Sequence, residues 1–128
     1  MKFTIDYNKW VAITPNKKIG KGLSALFNRY GYMCCLGQIA FQMCPALDVE
    51  KVRFLTTPND LLRDELCSVE DIQILAKSSS GNTALSMEAM EINDSAVIPL
   101  EDKVRMLKAL FNNHGIELEF INLPGIPA

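Results

Sequence analysis

Hydrophobic and polar positions alternate from the first residues onward. Phe3, Ile5 and Tyr7 fall between Lys2, Thr4 and Asp6, the period of two expected of a half-buried strand over residues 2–7. Residues 24–35 read as two short extended pieces around Asn28-Arg29-Tyr30-Gly31, whose Asn and Gly supply turn chemistry. The pattern then changes to a helical period. Leu36, Ile39, Ala40 and Met43 share one face over residues 34–43, Cys35 and Phe41 add a second, and Gly37 allows a neighbouring backbone to come close. Cys44-Pro45 ends that helix.

Residues 47–55 fit either a helical turn capped by Asp48 or a strand from Val49 to Leu55. Thr57-Pro58 places an N-cap before a proline and predicts a short helix over 59–66. Ser68 and Asp71 have capping-box spacing, Ile72 to Ala76 is a short apolar run, and Ser78 to Asn82 is a loop. A helix is predicted over 83–92, stopped by Asn93-Asp94-Ser95. Another opens at Pro99, carries Glu101 and Asp102 in its first turn, and presents Leu100, Val104, Leu107 and Phe111 as one stripe up to a stop at Gly115. Ile116, Leu118 and Phe120 alternate with Glu117 and Glu119 as a final strand, and residues 122–128 form a tail. Strands at both ends with helices between predict a single α+β domain over 1–128, its short sheet packed against three to four helices.

Composition sharpens this picture in three places. The chain has 128 residues, 48% hydrophobic and 22% charged, enough for one domain with a core that needs neither disulfides nor metal. Tyr30 to Leu47 is eighteen residues without a charge, but a span needs about 20 apolar residues. This run contains Gly31, Gly37, Gln38, Gln42 and Pro45, so a buried helix is expected and no membrane partner. The opening MKFTIDYNKW has no apolar signal core. Together with four unpatterned cysteines and one histidine, this points to a cytoplasmic protein with free thiols, no metal site and no cofactor.

Charge is unevenly placed. Residues 1–30 carry six basic side chains against Asp6 alone, while the remainder carries 7 basic and 14 acidic. Lys17, Lys18 and Lys21 stand among glycines, where backbone amides can cradle a phosphate; the spacing is not that of a P-loop. The acidic total and the lack of a basic helix face argue against nucleic acid.

Cys34 and Cys35 stand where extended chain becomes helix, a position that can favour a thiolate. With His114 as base and Asp94 or Asn93 as orienting group, Cys34 gives a nucleophilic set on paper. Each member also has a structural reading: small core residues for the cysteines, a helix C-terminal cap for His114, and turn formers for Asn93 and Asp94. Asn93 and Asp94 side by side can also hold a metal or a ribose hydroxyl, although one carboxylate without a partner makes a poor magnesium site.

The run Asn28-Arg29-Tyr30-Gly31-Tyr32-Met33-Cys34-Cys35-Leu36-Gly37, then Ile92-Asn93-Asp94, then Leu110-Phe111-Asn112-Asn113-His114-Gly115-Ile116 resembles a loose group of small uncharacterised proteins encoded by bacteriophages, prophages and bacteria. The resemblance spans roughly residues 23–43 and 84–121. It implies a small cytoplasmic phage protein and brings no activity with it. The expectation is therefore an accessory protein that binds, inhibiting a host protein or sequestering a small ligand, phosphorylated or not, with Asn93, Asp94, Lys17, Lys18 and Lys21 as candidate contacts. A Cys34-dependent hydrolase or transferase and a homo-oligomeric structural protein are the alternatives.

Overall fold

A computed structural model describes residues 1–125. Its first and last strands, β1 (Lys2–Asp6) and β6 (Glu117–Ile121), pair in parallel from Lys2 opposite Glu117 to Asp6 opposite Ile121. Phe3, Ile5 and Leu118 turn inward, as the alternation requires. The first helix, α1 (Cys35–Met43), closes the other edge of β1 with two amide side chains. Gln42 accepts from Thr4 N at 2.9 Å and donates to Thr4 O at 2.7 Å, and Gln38 does the same with Asp6 N and O at 2.7 and 3.1 Å. Four helical residues rise about 6 Å and two strand residues about 6.6 Å. Glutamines at i and i+4 therefore match strand residues at i and i+2 and stand in for a third strand.

The helix itself is buried from Cys35 to Ala40. At Gly37 a β-carbon would lie 2.0 Å from Leu26 O, so the close backbone approach expected there is a requirement. Between β1 and α1 run a 3₁₀ turn (Tyr7–Lys9) and a small antiparallel pair, β2 (Ala12–Ile13) with β3 (Lys18–Ile19). The two extended pieces expected over 24–35 are not strands. This stretch is a loop, bridged once from Trp10 to Met33, because buried Asn28 gathers its backbone. Its Nδ2 donates to Lys21 O and Leu23 O, and its Oδ1 accepts from Tyr30 N and Tyr32 N.

Further along, α2 (Val49–Val52) is capped by Asp48, so the helical option holds for 47–55. Helix α3 (Pro58–Arg63) opens at Thr57, with the Asp60 carboxylate accepting from Thr56 N and Thr57 N. Helix α4 (Val69–Ile72) is capped by Ser68. Strands β4 (Ala76–Ser78) and β5 (Gly81–Asn82) form a hairpin over the expected loop. Helix α5 (Ala84–Asp94), capped by Thr83, runs two residues past its predicted stop, and α6 (Leu100–Asn112) follows Pro99 and ends before Gly115 at φ +75°. The architecture is α+β, as expected. Among the described residues it has six helices, two of them single turns, and three two-stranded sheets. Of the expected tail, 126–128 lie outside the described residues. No helix among the described residues is long and apolar enough to cross a membrane.

Candidate functional site

Asn93, in the last turn of α5, ties three parts of the fold together. Its Oδ1 accepts from Trp10 Nε1 at 2.7 Å and from Cys35 N at 3.1 Å. Its Nδ2 donates to Val11 O at 3.0 Å and to Asp94 Oδ1 at 2.9 Å. The residue is buried, and in this position its amide satisfies a first-turn N–H of α1 that has no partner within the helix. The expected turn-forming role of Asn93 and Asp94 is thus replaced by a helical one. Lys103 makes the position possible. It is fully buried on α6, and its ammonium donates to Ile92 O and, at 3.1 Å, to Ser95 O, closing the C-terminal end of α5. Burial lowers its pKa, while the nearby Asp94 and Cys35 act in the opposite sense.

Beside Asn93 lies a small cavity of about 130 Å³ lined by Ser24, Cys34, Cys35, Thr56, Met90 and Asp94, among others. Ser24 Oγ donates to Asp94 Oδ1 at 2.6 Å, fixing one carboxylate oxygen of an otherwise exposed residue. Ser24 and Thr56 also border a larger cleft of about 550 Å³. Lys18 and Arg29 supply its cations, and Leu23, Tyr30 and Phe54 its apolar walls. These three side chains are 80%, 53% and 71% exposed, and Arg29 lies over the Tyr30 ring at 4.9 Å. Phe54 has φ +75°, a conformation that costs a bulky residue about 1–2 kcal/mol. No carboxylate lines this cleft among the described residues.

The loop holding Lys18 is built around its glycines. Ile19, just before Gly20, is buried, and a β-carbon on Gly20 would meet Trp10 O at 2.3 Å. The basic run is thereby anchored, and of its three lysines Lys18 lines the cleft. Lys17 and Lys21 are exposed elsewhere, engaged through their carbonyls by Thr14 and Asn28. Arg29, Tyr30 and Phe54 were not singled out by the sequence as contacts. The adjacent Arg-Tyr in a turn is a signal that could have found two of them.

The structure does not bring His114 to Cys34. His114 is exposed beyond the end of α6, its Nδ1 3.1 Å from Leu110 O, and it does not line the cavity that Cys34 reaches. Cys34, expected in the first turn of α1, is its N-cap, and the amides of Leu36 and Gly37 do favour its thiolate. Burial outweighs them: it pushes the Cys34 thiol up to about 11, with the Asp94 charge adding to the rise. Burial also raises Cys35 well above its ordinary value. Both thiols are therefore protonated at neutral pH, the opposite of an activated nucleophile. Comparison with protein-family models, with curated proteins and with solved structures finds no match to this chain.

Proposed function

We propose that this chain is a non-enzymatic accessory protein of phage type that sequesters a small aromatic phosphate, of the nucleoside monophosphate class, in the cleft between residues 18–30 and 54–56. The observation that carries this reading is the composition of the cleft wall: two cations and three exposed apolar side chains around about 550 Å³, with no carboxylate among the described lining residues. That volume lies within the roughly 300–1,000 Å³ of small-molecule sites. Lys18 and Arg29 suit a phosphate, Tyr30 and Phe54 suit the face of a base, and the Asp94 carboxylate beyond Ser24 accepts from a ribose hydroxyl. The conformation of Phe54 supports the same reading, because strain at a bulky exposed residue persists where it serves a site.

Titration calorimetry with adenosine 5′-monophosphate tests this. The wild-type protein is expected to bind it, with adenosine and inorganic phosphate each at least about 10-fold weaker, since each keeps only one set of contacts. Arg29→Ala and Lys18→Ala are each expected to weaken binding by about 5- to 50-fold, in line with the loss of a charge-assisted contact. Phe54→Gly is expected to weaken binding while leaving the fold equally or more stable. Equal affinity in all three variants would refute the reading.

A further inference from the structure

Cys44 and Cys67 stand 23 residues apart in sequence, yet Cys67 Sγ donates to Cys44 Sγ at 3.3 Å. Three features bring them together. Cys44 is fixed as the C-cap of α1, its N–H bonded to Ala40 O. Glu65 takes φ +57° just after α3, and this turns the chain so that Leu66 N and Cys67 N both bond back to Leu61 O at 2.8 and 3.2 Å. Both thiols are half-buried and free, and both line an open depression of about 760 Å³. A disulfide of about 2.05 Å needs the sulfurs to close by little more than an ångström.

We propose that Cys44 and Cys67 form a reversible dithiol–disulfide pair, oxidised and reduced by exchange with small disulfides and thiols of the glutathione class. The segment the bond would close, residues 44–67, contains α2, α3, Phe54 and Thr56. The bond would thus close a loop that includes part of the cleft wall.

Burial, with the hydrogen bond to Cys44, pushes the Cys67 thiol up to about 12. Cys67 is the hydrogen-bond donor of the pair and Cys44 the acceptor, which makes Cys44 the attacking sulfur. Cys44, having lost its proton, attacks one sulfur of the oxidised glutathione bond, releasing one glutathione thiolate and forming a mixed disulfide. Cys67 then gives up its proton, and its sulfur attacks Cys44 Sγ, expelling the second glutathione. Two protein thiols lose two electrons, one small disulfide gains them, and the two protons end on the two released glutathione thiols.

The test exposes the full chain to oxidised glutathione at neutral pH and reads intact mass and non-reduced peptide maps. The expected product has lost two hydrogens, carries a Cys44–Cys67 cross-link, and melts roughly 10–15 °C higher than the reduced protein, as a closed loop of this length predicts. Cys67→Ser is expected to accumulate a glutathione adduct on Cys44, and Cys44→Ser to take up glutathione at least about 10-fold more slowly. Adducts confined to Cys34 or Cys35, or a wild-type protein without the cross-link, would overturn the proposal. A changed affinity for adenosine 5′-monophosphate in the cross-linked form would extend it to the cleft. That last step rests on the function proposed above, and the cross-link is read independently of it.

Discussion

Asn93 shows how much one side chain can carry when it is buried. Its amide answers a donor from the indole of Trp10, a donor at the start of α1 and an acceptor at Val11. Leaving such groups without partners in a dry interior costs about 1–3 kcal/mol each. Asn93→Ala is therefore expected to lose about 3–5 kcal/mol of stability. Trp10 is the sole tryptophan and fully buried, so its fluorescence during urea unfolding reports the change directly. A loss below about 1 kcal/mol would mean that the network is dispensable. Lys103 belongs to the same scale. The stripe read from the sequence passed it over, although 103 falls at core spacing between Leu100 and Leu107 on α6, where a lysine has to find carbonyls to remain.

At the scale of elements, the glutamines of α1 matter more than its apolar face suggests. The uncharged run marks a buried helix, and the periodicity correctly places Leu36, Ile39 and Ala40 in the core. What the pattern does not disclose is that Gln38 and Gln42 serve as the missing neighbour of an edge strand. That role depends on the distance between a helix and a strand from different parts of the chain. Replacing both by leucine is expected to cost about 2–4 kcal/mol through the exposed backbone groups of Thr4 and Asp6, and to speed hydrogen exchange at those two amides. Unchanged exchange there would contradict this account. Local signals did well wherever the physics is local: Asp48, Thr57 and Ser68 stand as N-caps of the helices that follow them, while Thr83, expected inside its helix, caps it instead. They failed over 24–33, where the Asn28 side chain takes the backbone bonds that a strand would need, and at Cys44 and Cys67, whose contact depends on how α1 and α3 are packed.

For the molecule as a whole, the buried thiols set a pH dependence. Cys34 ionises near 9 when unfolded and near 11 when folded, and Cys35 shifts in the same direction. Between those values the unfolded chain binds fewer protons than the folded one, so stability is full below about pH 9 and falls as pH rises, by roughly 1.4 kcal/mol per unit for each thiol. Lys103 acts with the opposite sign: its lowered pKa relieves the cost of a buried charge as pH rises toward 10.5. Urea unfolding at about pH 8 and about pH 10 is expected to show a net loss of stability in the wild type and a smaller loss in Cys34→Ser. Equal losses would show that Cys34 is not shielded from water.

The charge asymmetry of the sequence resolves into a place at this scale. Part of the basic N-terminal region, Lys18 and Arg29, faces a cleft whose other walls are aromatic and aliphatic, and the acidic remainder contributes Asp94 just beyond it. The most direct test of the cleft as a binding site is an amide chemical-shift map of the protein titrated with adenosine 5′-monophosphate. The account predicts saturable shifts concentrated at Leu23, Ser24, Arg29, Tyr30, Phe54 and Thr56. Shifts that are absent, or that cluster away from these residues, would contradict it.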